Sequence, residues 1–191
     1  MADKPTLRKV YLEKRKFLST PVWAARNNDI TQLLMDNMAL NKVKTLHLFL
    51  PISQQKEVDT WAIMDAVKSQ YPGIRFAIPK VTSERQLQHF VFTSPEQLKP
   101  SRWGVPEPVT ADVVAPEEID MVLVPLIAFD RLGHRIGYGK GYYDNFLVQC
   151  RPDTVKVGLS LSPPLDKIPY LDPHDIPSDF CVNHKKCYRF S

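Results

Sequence analysis

Thr45-Leu-His-Leu-Phe-Leu50 and Ile74-Arg-Phe-Ala-Ile78, with a helical pattern from about Asp59 to Tyr71 between them, decide the fold. The first run is short and almost wholly apolar, as expected of a strand buried on both faces of a parallel sheet. Pro72-Gly73 stops the helix, and the second strand follows at once. A strand, a helix and a strand in such quick succession make a βαβ unit, since parallel neighbours need a crossover.

The same grammar returns downstream. Met121-Val-Leu-Val124 reads as another buried strand closed or bulged by Pro125, a helix follows from Tyr142 to Val148, and Val155 to Leu159 is the next strand. Upstream, Pro5 with Leu7, Val10, Tyr11, Phe17 and Leu18 predicts an amphipathic helix ending near Ser19-Thr20-Pro21. A second helix is expected from about Val22 to Leu40, with Ile30, Leu33, Leu34 and Met38 as its apolar stripe and Thr20 available as its cap. Residues 93–118 carry five prolines and Trp103, which predicts an extended segment lying over the body of the fold. Residues 162–177 carry five more, and Phe180 to Val182 and Tyr188 to Phe190 read as short edge strands. The expectation is an α/β fold with a mainly parallel sheet.

At 191 residues the chain has the length of one domain of about 150 residues with some elaboration. Its 43% hydrophobic and 24% charged residues are those of a globular chain with a real core. Glycine is scarce, 7 against 17 prolines, yet four of the seven lie between Gly133 and Gly141. The net charge of +4 is concentrated at the start, where Lys4, Arg8, Lys9, Lys14, Arg15 and Lys16 face only Asp3 and Glu13. Three cysteines without a C-x-x-C pair, and no leader pattern, point to a reduced cytoplasmic protein. The apolar stretch around Met121 to Phe129 is too short to cross a bilayer. Cys181-x-x-His184-x-x-Cys187 lacks a fourth ligand and paired spacing, so it does not read as a zinc site.

The chemistry is expected at Phe129-Asp-Arg-Leu-Gly-His-Arg-Ile-Gly-Tyr-Gly-Lys-Gly-Tyr-Tyr-Asp144. Glycines at 137, 139 and 141 let backbone N–H groups converge on an anion, for which phosphate is the natural guest. Lys140 would then meet a terminal phosphate, and Asp144, in the first turn of the next helix, would hold a magnesium ion bridging phosphates. Neither a Walker A loop nor G-x-G-x-x-G is present, because Gly141 follows Lys140 and Tyr142 stands where the last glycine would fall. Lys4 and Arg8 lie four apart on one helical face, within reach of the same phosphates. The remaining basic residues of that helix, Lys9, Lys14, Arg15 and Lys16, read as a solvated face. Glu57 follows the first strand's carboxyl end, where ligands gather in open parallel sheets.

Gly137-Tyr-Gly-Lys-Gly-Tyr-Tyr-Asp144, preceded by Asp130-Arg-Leu-Gly-His-Arg135, resembles the signature of the 5-formyltetrahydrofolate cyclo-ligase family, also called 5,10-methenyltetrahydrofolate synthetases. Four further segments fit in order along the chain: Lys4-Pro-Thr-Leu-Arg8, Glu57-Val-Asp-Thr60, Trp103-Gly-Val-Pro-Glu-Pro108 and Pro173-His-Asp-Ile-Pro-Ser-Asp179. The resemblance implies a three-layer α/β/α fold over residues 1–191 as a single domain. It also implies ATP as co-substrate, Mg²⁺, and conversion of 5-formyltetrahydrofolate, with or without a polyglutamate tail, to 5,10-methenyltetrahydrofolate.

By that resemblance Lys4, Arg8 and the loop residues Gly137, Tyr138, Gly139, Lys140, Gly141 and Tyr142 bind ATP, with Lys140 catalytic. Glu57 and Leu50 meet the folate, Trp103 and Tyr143 wall or stack on the pterin, and Asp175 joins Asp144 at the metal. The family's loop often has arginine where this chain has Tyr138, which makes Arg135 the expected substitute at the phosphate. A monomer without nucleic-acid or membrane partners is expected. The alternative, from another class, is a non-catalytic nucleotide- or RNA-binding relative on the same fold. Lys140, Asp144 and Glu57 weigh against it. His134 and His174 flank the expected site without an assigned role.

Overall fold

The computed structural model describes residues 3–82, 86–101, 106–109 and 111–190. Helices α1 (Lys4–Lys16) and α2 (Thr20–Asn37) open the chain, and β1 (Thr45–His47), α3 (Thr60–Gln70) and β2 (Arg75–Val81) form the first parallel unit. Four short strands follow: β3 (Leu87–Phe92), β4 (Leu98–Pro100), β5 (Pro106–Pro108) and β6 (Val113–Val114). Then come β7 (Met121–Pro125), β8 (Ala128–Phe129), β9 (Arg135–Ile136), α4 (Tyr142–Leu147) and β10 (Val155–Ser160). The chain closes on β11 (Phe180–Asn183) and β12 (Cys187–Arg189).

Eight of these strands form one sheet in the order β12-β11-β10-β7-β1-β2-β3-β6. The five inner neighbours, β11 to β2, run parallel, and β12, β3 and β6 add antiparallel edges. Alternation along the strands divides two cores. Leu46, Phe76, Ile78, Leu123 and Val157 meet Ile30 and Leu34 of α2 and Ile63 and Val67 of α3 on one face. Ala77, Val122 and Val124 meet Phe146 and Leu147 of α4 on the other. The architecture is three-layer α/β/α, as the sequence implies. Among the described residues no helix is long and apolar enough to cross a membrane.

Local chemistry explains the helix ends. Asp3 accepts from Thr6 N–H at 2.9 Å and Pro5 sits in the first turn of α1. Asp59 accepts from Trp61 N–H at 3.1 Å at the start of α3. Helix α2 departs from expectation. It starts at Thr20, with Ser19 at the cap position and no side-chain cap bond, because proline is tolerated in a first turn and Pro21 needs no break before it. It ends at Asn37, short of the expected Leu40.

Strand β3 was not expected: Leu87–Phe92 follows β2 closely and returns antiparallel to it. It brings His89 beside His47 of β1, and both imidazoles are buried on the α4 face, with ring centroids 4.9 Å apart. The Pro-rich segment expected to run extended over the body of the fold carries the β4–β5 pair and the edge strand β6. The other predicted strands and α4 lie within a few residues of their expected limits.

One buried carboxylate anchors the connection that carries the site. Asp130, fully buried, accepts from Leu132 N–H at 2.9 Å, His134 N–H at 3.0 Å and Ile168 N–H at 2.9 Å. It thereby ties the β8–β9 turn to the Pro-rich tail, and His134 Nδ1 lies 3.3 Å from its other edge. Leu7 and Tyr11 of α1 pack on Ala128, Ile136 and Ile168 of this unit, so α1 lies against the base of the glycine loop rather than on the large sheet.

Candidate active site

A cavity of about 860 Å³ opens at the carboxyl ends of the parallel strands. Its floor is Phe49 and Leu50 after β1, Pro79 and Val81 of β2, and Pro125 of β7. Strand β1 is where the connection order reverses, since β2 and β7 flank it on opposite sides; such switch points open a crevice for ligands. Helix α1, the glycine loop and the Pro-rich tail build the walls, adding Lys4, Arg8, residues 135–145, Asp172, His174 and Asp175. Pro106 and Glu107 of β5 also reach the rim.

The glycine loop is held from α1. Arg8 Nε donates to Gly137 O at 2.7 Å, and its guanidinium packs against Gly139, which has φ +82°. Gly141, at φ +73°, turns the chain into α4. Lys140 is exposed at the cavity and carries no hydrogen bond or ion pair among the described residues.

The two aspartates are already engaged by cations. Lys4 Nζ lies 2.5 Å from Asp175 Oδ2, which also accepts from Asp172 N–H at 2.9 Å. Burial alone would raise the Asp175 carboxyl, but these bonds and Arg135 hold it below its usual value. Arg135, whose side chain is 6% exposed, donates to Asp144 Oδ1 at 2.5 Å and to Ile176 O. Burial draws the Arg135 guanidinium pKa down, against the opposing pull of Asp144 and Asp175. Arg135 thus joins the two carboxylates as a neighbour of both. The Nη1 and Nη2 groups of Arg135, expected at a phosphate, reach Ile176 O and Asp144 Oδ1, and the residue also lines the cavity.

Glu57 is 4% exposed. Its Oε2 accepts from Ile52 N–H at 2.7 Å, and its Oε1 accepts from the Tyr138 hydroxyl. Tyr138 in turn accepts from Arg15 Nη2 at 2.7 Å. Arg15 therefore corrects the sequence reading: it is buried, not part of a solvated face. Its spacing carried the signal, because positions 4, 8 and 15 share one stripe of an α-helix. Tyr138 points inward to a carboxylate where a phosphate contact was expected, since a phenol donor finds its strongest acceptor there.

Leu50 is buried at the cavity floor, and Tyr142 and Tyr143 line its wall. The Tyr143 hydroxyl is buried without a partner among the described residues, and its ring meets His47 and Phe146 edge-on. Burial pushes the Tyr143 phenol far up, so it stays neutral. His174 is exposed at the rim. Trp103 lies outside the described residues.

A nested-glycine loop with a free lysine, facing a buried carboxylate across a parallel-sheet switch point, suits an enzyme that joins a nucleoside triphosphate to a second ligand. Residues 1–183 match the profile of the 5-formyltetrahydrofolate cyclo-ligase family. The chain belongs to this family. A 5-formyltetrahydrofolate cyclo-ligase of Mycoplasma pneumoniae is 30% identical over 183 residues, covering 95% of this chain and 98% of its own. A relative of the same name from Mus musculus is 30% identical over 129 residues, 63% of this chain and 62% of its own. The solved structure of Aquifex aeolicus 5,10-methenyltetrahydrofolate synthetase superposes with a TM-score of 0.84 at 33% identity, covering 97% of this chain and 92% of that one.

Proposed function

We propose that this cyclo-ligase family member closes 5-formyltetrahydrofolate to 5,10-methenyltetrahydrofolate while ATP becomes ADP and phosphate. The observation that carries the reading is the single cavity shared by the glycine loop with Lys140 and by the buried Glu57 carboxylate, in a chain that matches the family almost from end to end.

A formamide carbonyl is a weak electrophile, and its oxygen is a poor leaving group. The reaction therefore has to convert that oxygen into phosphate. The formyl oxygen attacks the γ-phosphorus, the bond to the ADP oxygen breaks, and N10 then adds to the activated carbon with loss of phosphate and a proton. No side-chain nucleophile is required. Lys140, without a hydrogen bond or ion pair among the described residues, neutralises charge building on the transferring phosphoryl group. The N–H groups of residues 137–141 and the Arg8 guanidinium take the remaining phosphate oxygens.

On the other side, each Glu57 oxygen carries one hydrogen bond and keeps one acceptor position, matching the paired amino and ring N–H donors of a pterin. Leu50 and Tyr143 supply the flat apolar wall beside it. A cavity lined by both ends holds the two reactants face to face, which is the main contribution of such a site.

Asp144 and Asp175 are hard oxygen donors, and the bonds described for them fall on Oδ1 of the first and Oδ2 of the second. Among the described residues no three His, Cys, Asp or Glu side chains converge. That donor set fits Mg²⁺, which takes one or two carboxylates and completes its shell with phosphate oxygens and water. Held there, Mg²⁺ would add charge stabilisation to the phosphates. Lys4 and Arg135 keep the two aspartates in place.

The test is to mix the purified protein with 5-formyltetrahydrofolate and Mg-ATP. The near-ultraviolet absorbance of the methenyl product should grow, with one ADP formed per product. Growth without ATP, or ADP release without product, would overturn the reading.

A further inference from the structure

Arg15 presents an arrangement that the proposed reaction leaves unexplained. It is 6% exposed on α1 between two exposed lysines, Lys14 and Lys16. A buried guanidinium is costly unless a counter-charge compensates it. Among the described residues no carboxylate lies within ion-pair distance of Arg15. Instead, Nη2 donates to the Tyr138 hydroxyl at 2.7 Å, and more weakly to Gln55 Oε1 at 3.4 Å. A compensating charge, Glu57, lies one hydroxyl away.

The bonds run in one direction. Arg15 gives to Tyr138, and Tyr138 gives to Glu57. A phenol can hold both only if it keeps its proton, and burial together with the facing Glu57 carboxylate pushes its pKa far above the usual value. Chains of this kind polarise, each bond strengthening the next. Ile52 N–H fixes the other carboxylate oxygen at 2.7 Å. With each oxygen held by its own donor, the plane of the carboxylate is set before any ligand arrives.

We infer that Arg15 and Tyr138 are positioning residues for Glu57, a relay that orients this carboxylate toward the paired N–H donors of the folate ring. The inference rests on the functional reading above, in which Glu57 meets the pterin. Tyr138 belongs to the glycine loop but acts on the folate side, and Arg15 acts only through it.

Tyr138→Phe deletes one oxygen and keeps the ring. It should raise the KM for 5-formyltetrahydrofolate, and its Kd by calorimetry without ATP, roughly 10-fold or more, the factor for a lost bond to a charged acceptor. The KM for ATP and kcat should stay within about 2-fold. Arg15→Met, which keeps the apolar stem, should act in the same direction. The double variant should be no worse than the more impaired single one, because either change breaks the same relay. Arg15→Lys, keeping one donor, should recover part of the loss.

Unchanged folate affinity in Tyr138→Phe would overturn the inference, as would additive effects or KM values for both substrates rising together. A purely structural role predicts a lower Tm with unchanged folate affinity, which also refutes it. Wild-type protein that binds no folate removes the functional reading as well, whereas normal wild-type binding with unaffected variants removes the relay alone.

Discussion

Replacing the loop glycines one at a time with alanine should separate backbone strain from steric conflict. Gly137 has no heavy atom within 4 Å of an added Cβ and lies outside the left-handed region, so Gly137→Ala should alter stability by less than about 0.5 kcal/mol. Gly141 also has open space, but its φ of +73° imposes about 1–2 kcal/mol on any L side chain. Gly139 combines both effects. Its φ is +82°, and a Cβ there would sit 2.9 Å from Arg8 Nη2 and 3.0 Å from Cζ. Arg8 would have to leave Gly137 O, adding the loss of a charge-assisted bond to the strain, for a total of about 3 kcal/mol.

For a chain of 191 residues that corresponds to a fall in Tm of roughly 6–12 °C for Gly139→Ala, about 2–8 °C for Gly141→Ala and under ~2 °C for Gly137→Ala. Thermal unfolding with urea midpoints reads the series. Adding Arg8→Ala to Gly139→Ala should cost less than the sum of the two, since the clash partner is gone. A Gly139→Ala Tm no lower than that of Gly141→Ala, or strict additivity with Arg8→Ala, would refute the argument that Arg8 is seated on this glycine.

Lys140→Ala should lower kcat roughly 10²-fold or more with Tm unchanged, because the side chain is exposed and has no partner among the described residues; near wild-type turnover would remove it from the mechanism. Asp144→Asn and Asp175→Asn should each raise the Mg²⁺ concentration needed for half-maximal rate, with a double variant less than additive; an unshifted midpoint for Asp175→Asn would leave Asp175 as only the partner of Lys4 and the turn at Asp172. Burial drives the His89 pKa down to about 4 and lowers that of His47 well below normal, so between pH 6.5 and 4 the unfolded chain binds more protons and stability falls on acidification. His89 alone accounts for about 3 kcal/mol by pH 4, so urea midpoints should drop from pH 7 to pH 5 and drop less in His89→Phe; a flat profile would contradict the buried neutral pair.

Much of this protein is legible from local pattern. The largely apolar runs at 45–50, 74–78, 121–124 and 155–159 announce parallel strands because a strand covered on both faces leaves few positions for a polar residue to reach water, here Arg75 and Lys156. The cluster of glycines at 133–141 announces a tightly turned loop, since at Gly139 and Gly141 the chain adopts a conformation that other residues resist. What period and spacing cannot carry is who meets whom across the fold. Leu87–Phe92 became a strand because β2 offered it an open antiparallel edge, not because its own alternation is strong. Lys4 and Asp175 are 171 positions apart, and Tyr138 and Glu57 are 81 apart, so their pairing waits on the packing of α1 and the glycine loop over the strand ends. The sharpest case is Arg15. It stands in a run of three adjacent cations with Lys14 and Lys16, and the helical stripe it shares with Lys4 and Arg8 becomes a buried one only where α1 packs against the loop, which turns that single charge from a solvated group into the partner of Tyr138.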